Sequence, residues 1–257
     1  MIHQTAIISP KAEIDPSVEI GPYSMIGDEV VIGAGTRVGS HVVIKGPTRI
    51  GQNCTIFSFA AIGDIPQDLK FKGERTEVII GNNTTIREYV TVNRGTKGGG
   101  GITSIGDNNL IMAYCHVAHD CILGNGIIMS NGVNLAGHIR IEDCAVIGGM
   151  VGIQQFVRIG KYAMIGGMSG VPQDIPPFVI AAGERTKLNG INIIGLKRHG
   201  FSAETISELK TAYKILFRSG LTTQKAVQRI DEEGLTSPEV QELVHFVLTS
   251  ERGVLRK

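Results

Sequence analysis

The chain has 257 residues, with 25 Lys and Arg against 24 Asp and Glu, for a net charge of +1. That balance excludes a nucleic-acid binder working by bulk positive charge, and no apolar stretch approaches the roughly 20 residues of a membrane span. Glycine is abundant at 34, aromatics make up 5% and tryptophan is absent, which suits a thin structure of stacked small side chains rather than a wide core.

At the N-terminus, Met1 to Thr5 lack the basic start and apolar run of a secretory leader. The four cysteines, Cys54, Cys115, Cys121 and Cys144, form no Cys-x-x-Cys pair. The expectation is a reduced cytoplasmic protein with free thiols.

An aliphatic residue then recurs every sixth position. It runs from Ile2 through Ile8, Ile14 and Ile20 to Ile62, returns at Ile80, Ile86 and Val92, and continues unbroken from Ile105 to Val171. Glycine often follows it, as at Gly21, Gly33 and Gly148, and a small residue often sits four positions on, as at Ser24, Thr36 and Ala145. A helix would repeat every ~3.6 residues and a long strand every second one. Six residues make one short strand and a turn, with one aliphatic side chain pointing inward. Three such sides close a triangular coil of about 18 residues, the mark of a parallel β-helix, with glycine relieving the corners. Stacking at roughly 4.8 Å predicts two ladders: Ile105, Leu123, Ile141 and Ile159, and Val117, Leu135, Ile153 and Val171. The predicted fold is therefore an all-β parallel β-helix over residues 1–176.

Two segments interrupt the repeat. Residues 64–77 are polar and contain Pro66; residues 97–101 are rich in glycine. Both are expected to loop out of the wall, and the second lacks the Gly-Lys-Ser/Thr of a phosphate loop. Insertions in a solenoid tend to gather on its working face. The repeat stops at Pro172, and Pro176 and Pro177 mark the break. Residues 177–190 read as a linker and 191–257 as a small α-helical domain. There Ser202 is the expected N-cap of a helix ending at Gly220, Thr223–Gly234 a second, and Ser237 and Pro238 the start of a third. Such a domain can cover the open end of a β-helix.

Reactive residues concentrate between Cys115 and Cys121, which enclose His116, His119 and Asp120. On an 18-residue ruler His119 stands over Gly137 and Gln155 in successive coils, with His138 beside Gly137. Histidine suits proton abstraction near neutral pH, a neighbouring carboxylate fixes its tautomer, and a glycine N–H open to solvent suits an oxyanion hole. No Ser or Thr shares the column, so the pattern favours direct transfer to a substrate hydroxyl over a covalent intermediate. A second column, Ala113, Asn131, Gly149 and Gly167, is uniformly small. It leaves either a groove for an elongated ligand or a surface for a neighbouring subunit. A flat-faced prism has no pocket of its own, so a symmetric neighbour is the expected second wall. By the same ruler Cys54 and Cys144 stand five coils apart on one face, and no cysteine pair makes a natural disulfide. A zinc site from His116, His119 and His138 is the alternative reading of the histidines. A β-helix that binds without catalysis is another. Asp120 beside the central histidine favours acid–base work and no metal.

At this point the residues resemble a known family. The repeat, Gln67-Asp68-Leu69-Lys70, the run from His116 to Cys121, Leu135-Ala136-Gly137-His138, Ile147-Gly148-Gly149-Met150 and Gly195-Leu196-Lys197-Arg198 are similar to the acyl-carrier-protein–UDP-N-acetylglucosamine O-acyltransferases that begin lipid A synthesis in Gram-negative bacteria. The resemblance implies a left-handed parallel β-helix, a homotrimer with sites between subunits, and no cofactor. It implies transfer of a 3-hydroxyacyl group from acyl carrier protein to the sugar 3-hydroxyl of UDP-N-acetylglucosamine. His119 then resembles the general base, Asp120 its orienting partner and Gly137 the oxyanion donor. Asp68, Lys70, His116 and His138 would bind sugar and phosphates, Gln67 the acyl 3-hydroxyl, and Gln155, Asn192 and Arg198 the nucleotide or the phosphopantetheine arm. Gly149, Gly167 and Met164 fall on the acyl groove, and glycine at 167 implies a long chain. Lys187, Lys197, Arg198 and His199 would meet an acidic carrier protein. Gln154 and Ile194 depart from the family's pattern, where a His and a Glu are expected. A 3-amino sugar acceptor therefore stays open, as does the sibling N-acyltransferase of the same pathway, although that enzyme carries a domain before its repeat.

Overall fold

The computed structural model describes residues 1–255, so the last two residues of the expected helical domain lie outside it. Very short strands, most of two residues, alternate with turns, and their pairing sorts them into three parallel walls. Wall I has nine strands from Ile7–Ile8 to Gly170–Val171, and wall II has eight from Glu13–Ile14 to Arg158–Ile159. Wall III has ten, from Glu19–Ile20 to Lys187–Ile191. The chain visits walls I, II and III in turn, so each circuit is one coil. Both predicted ladders are present: Ile105 pairs with Leu123, Leu123 with Ile141 and Ile141 with Ile159, while Val117 climbs through Leu135 and Ile153 to Val171.

The period of six follows from what each position must do. Every sixth-position aliphatic from Ile20 to Val171 is buried, each such side chain contributing about 1.5–3 kcal/mol. Ile2, Ile8 and Ile14 are more exposed because no coil lies beneath them. The small residue four positions on fills the inside of the turn and donates to a carbonyl of the next coil. Ser24 Oγ donates to Gly39 O at 2.8 Å, Thr84 Oγ1 to Gly106 O at 2.9 Å and Cys121 Sγ to Ala136 O at 3.1 Å. At most corners one residue takes the left-handed conformation, including Tyr23, Asp120 and His138 with φ of 59°, 61° and 63°.

Both insertions leave the coil at the corner between walls I and II. The first spans only residues 65–76, because Ala61–Asp64 and Glu77–Ile80 are strands. The second lies between Thr91–Asn93 and Ile102–Ile105 and contains the short 3₁₀ turn Lys97–Gly99. The insertions also correct the ruler for the cysteines. Thr55 pairs with Thr85 and Thr85 with Leu110, steps of 30 and 25 residues rather than 18. Cys54 and Cys144 are therefore four coils apart and in neighbouring columns, Cys54 buried and Cys144 half-buried.

Residues 177–190, expected as a linker, instead extend wall III. Val179–Ala182 continues it in parallel, and Lys187–Ile191 returns antiparallel. The proline turn shortens this coil, so Ile180 pairs with Met164 after 16 residues and the hexad register misses it. Four helices follow: α1 (Ile193–Arg198), not foreseen, then α2 (Ala203–Arg218), α3 (Thr223–Glu232) and α4 (Pro238–Leu248). Ser202 caps α2 as expected, its side chain accepting from Thr205 N–H. The helices pack on the last coil: the Arg158 guanidinium lies 4.4 Å from the Phe246 ring centre, and Lys161 pairs with Glu242 at 2.5 Å. Among the described residues no helix is long and apolar enough to cross a membrane.

Candidate active site

The corner between walls I and II collects the chemistry. Its stack runs from the two insertions through His119 and Asp120, then Gly137 and His138, then Gln155 and Phe156; His138 N–H donates to His119 O and Phe156 N–H to Gly137 O. His119 Nδ1 lies 2.7 Å from Asp120 Oδ2. An ionised carboxylate only accepts, so Nδ1 carries the hydrogen and Nε2 keeps its lone pair. The ring lies against Gly137: a Cβ there would stand 2.5 Å from His119 Cε1 and 2.7 Å from Nε2. Only glycine lets the imidazole approach the next coil this closely. Among the described residues no hydrogen bond engages the Gly137 N–H. The side chain of Asp120 is fully buried and that of His119 is 14% exposed.

His138 meets His119 edge to face at 5.0 Å and stacks on Phe156 at 4.5 Å. Burial pushes the His138 imidazole below the usual histidine range, against the pull of Asp120 and of Asp68 from the first insertion. Burial, then repulsion from His119, does the same to His116, whose Nδ1 lies 2.7 Å from Thr91 Oγ1. Both rings are therefore neutral donors or acceptors near neutral pH. His119, Asp120 and His138 are close enough to hold a metal ion, but the Asp120 oxygens already accept from His119 and, twice, from Thr96. A cleft of about 1180 Å³ opens from Asp120 and His138 past Phe156 and Arg158 to α4.

The other expected site residues divide by corner. Gln67 and Lys70 are exposed on the first insertion, whose Asp68 Oδ1 accepts from Lys70 N–H at 2.9 Å. Gln155 is exposed one coil beyond Gly137. Gly149 and Gly167 lie instead at the corner between walls III and I, and Met164 on wall III. Asn192 caps α1 at the third corner and Arg198 is that helix's last residue. Asn192 is buried: its Oδ1 accepts from Gly195 N–H and its Nδ2 donates to Tyr162 O at 2.9 Å. Lys187, Lys197, Arg198 and His199 are all exposed.

Known proteins are similar to this chain over its whole length. Residues 11–46 and 102–137 match the bacterial transferase hexapeptide repeat, and residues 174–255 match domain 2 of UDP-N-acetylglucosamine O-acyltransferase. The acyl-[acyl-carrier-protein]–UDP-N-acetylglucosamine O-acyltransferase of Thermodesulfovibrio yellowstonii is 60% identical over 99% of both chains. This chain belongs to the UDP-N-acetylglucosamine O-acyltransferase family. The family's crystal structure from Bacteroides fragilis superposes with a TM-score of 0.98 at 47% identity over all of both chains. That from Francisella novicida gives 0.97 at 42% identity, over 100% of this chain and 94% of that one. The expected fold class, a left-handed parallel β-helix with a small helical C-terminus, holds for this O-acyltransferase chain.

Several site residues were not legible beforehand. Phe156 stands 18 residues after His138, so the ruler could have found it. Thr91 and Thr96 could not be found that way, because the insertions separate them from His116 and Asp120 by 25 and 24 residues.

Proposed function

We propose that the protein transfers a 3-hydroxyacyl chain from acyl carrier protein to the 3-hydroxyl of UDP-N-acetylglucosamine, the first step of lipid A biosynthesis. One observation carries the reading: His119, tied through Nδ1 to buried Asp120, holds its free Nε2 beside the unengaged N–H of Gly137. Nε2 takes the proton of the sugar hydroxyl as that oxygen attacks the thioester carbonyl. The Gly137 N–H donates to the oxyanion that forms. Collapse breaks the carbon–sulfur bond, and the imidazolium returns the proton to the departing thiolate. Asp120 steadies the imidazolium between these steps. His116, His138, Asp68, Lys70 and Gln155 hold the nucleotide sugar, and Gln67 the acyl 3-hydroxyl. The exposed cations Lys187, Lys197 and Arg198 attract an acidic carrier protein. No step calls for a metal or cofactor.

A homotrimer completes this site. The base, the Gly149–Gly167 column and the Asn192–Arg198 segment occupy three different corners of one prism, on the order of 15 Å apart for sides of about five residues. Residues on separate corners converge on one substrate only when copies of the chain meet corner to corner. The buried or half-buried free cysteines suit the reducing cytoplasm.

An acyl-transfer assay with UDP-N-acetylglucosamine and its 3-amino analogue, across acyl chain lengths, tests the reading. Ester formation with long 3-hydroxyacyl chains is expected. Product from the amino sugar alone would move the acceptor assignment, in keeping with the exposed apolar Ile194 beside Asn192. A sharp preference for about ten carbons or fewer would remove the long groove at Gly167.

A further inference from the structure

Asp120 is gripped by the second insertion. The second insertion folds back over the corner as Thr96 followed by the 3₁₀ turn Lys97–Gly99. Thr96 N–H donates to Asp120 Oδ1 at 2.7 Å, and Thr96 Oγ1 donates to Asp120 Oδ2 at 2.7 Å. Oδ2 is the same oxygen that receives His119 Nδ1. Thr96 Oγ1 in turn accepts from Gly99 N–H at 3.3 Å, which commits its own hydrogen to the carboxylate. The turn sits so close that a Cβ at Gly99 would stand 2.0 Å from the Asp120 carboxyl carbon. From below, Asp120 N–H donates to Thr103 Oγ1 at 2.8 Å, holding the residue in its left-handed conformation. The first insertion touches this turn as well, since Glu74 Oε1 accepts from Lys97 N–H at 3.3 Å.

We infer that Thr96 is a positioning residue for acyl transfer, clamping both oxygens of Asp120 so that His119 Nδ1 meets Oδ2 and Nε2 faces the substrate. The inference rests on His119 being the base. A buried carboxylate needs its lone pairs filled by fixed donors. Thr96 supplies two donors from one residue, which sets the plane of the carboxylate and not merely its charge. The groups that share this surrounding are His119, His138 and His116 on the wall, Asp68 from the first insertion, and Glu74 with Lys97 where the two insertions meet. Removing the Thr96 hydroxyl leaves Oδ2 with a single protein donor. The carboxylate then attracts the imidazolium more strongly and tilts more freely, so the acid limb of activity moves to higher pH while turnover falls.

The test compares the full-length wild type with Thr96→Val and Thr96→Ser. Thr96→Val is expected to lower kcat by roughly 10- to 100-fold, the cost of a misplaced general base. KM for UDP-N-acetylglucosamine should stay within about two-fold, and the acid limb of the kcat/KM profile should move to higher pH. Thr96→Ser should restore both. The downfield Nδ1–H proton resonance of His119 should lose intensity to solvent exchange in Thr96→Val and regain it in Thr96→Ser. That resonance reports the clamp without turnover, so it decides the matter even if the wild type transfers no acyl group and the proposed reaction itself fails. Unchanged kcat, pH profile and resonance in Thr96→Val would overturn the inference. So would a loss of activity that only tracks a lower unfolding temperature, with the pH profile in place.

Discussion

At the corner between walls III and I, the left-handed position of five successive coils holds Tyr23, His41, Phe59, Tyr89 and Tyr114, stacked ring on ring at 4.9–5.1 Å. At the corner between walls I and II the same position holds Asp120, His138 and Phe156. The backbone is alike at both, so the coil geometry is not what makes one of them reactive. From Tyr23 to Tyr114 the aromatic corner gives each inner ring a like neighbour above and below. The reactive corner receives both insertions, and these bring in donors from outside the coil, above all Thr96 onto Asp120. A regular stack supplies spacing, and the break in regularity supplies chemistry.

The largest effect that would separate the two corners is loss of the base. His119→Ala should reduce kcat by about 10³-fold or more, an effect far larger than the stability lost by leaving the buried Asp120 carboxylate one donor short. Tyr89→Ala, in the aromatic stack, should show the reverse: near-normal turnover and a loss of about 1 kcal/mol in denaturant unfolding. Equal activity of the two variants would remove His119 from the mechanism.

Next comes the glycine one coil on from the base. Gly137→Ala puts a Cβ 2.5 Å from His119 Cε1, so the ring must move, and a displacement of ~1 Å is worth about 10²-fold in rate. Gly152→Ala on wall I meets nothing within 4 Å and is the matched control. Steady-state kinetics on both variants separate a steric requirement at one glycine from a general dislike of side chains on the wall.

Much of this was legible because a solenoid writes its fold into the spacing. One inward aliphatic per six residues sets the coil, and equal steps of 18 are enough to put His119 against Gly137. The ruler failed wherever the step changed. Across the insertions it set Cys54 and Cys144 one coil too far apart, and it could not pair Thr96 with Asp120. At the proline turn the 16-residue step hid the strand at Val179–Ala182. Nor does spacing say which side chain a loop will fold back upon. That depends on Gly99 having no side chain to keep the turn away from the carboxylate.

A smaller effect follows from the two depressed histidines. His116 and His138 are held below the usual histidine range by burial, so below a pH of about 6.5 the unfolded chain binds more protons than the folded one. Their contribution to stability is complete above that pH and is lost as the pH falls. The unfolding temperature should drop by about a few degrees between pH 7 and 5, and His138→Asn should flatten the slope. An unchanged slope in His138→Asn would remove the burial of that ring as a source of the pH dependence.

The smallest effect concerns a thiol behind the oxyanion donor. Cys121 Sγ donates to Ala136 O at 3.1 Å, and that carbonyl belongs to the same peptide unit as the Gly137 N–H. Fixing the carbonyl therefore aims the N–H. Burial pushes the Cys121 thiol up to about 12, so it stays protonated and remains a donor throughout the working range. Cys121→Ser keeps a donor at the place where Ser24 and Thr36 serve the coils below, and kcat should hold within about two-fold. Cys121→Ala leaves the carbonyl unpaired, at about 1–2 kcal/mol of stability, and lets the peptide plane swing, so kcat should fall several-fold while KM holds. Cys115→Ala frees the carbonyl of Ser130 in the same way, but no catalytic N–H shares that peptide. It should cost similar stability and no turnover. A matching loss of kcat in both alanine variants would make the thiol contacts purely structural, and the aim of Gly137 would then rest on the coil alone.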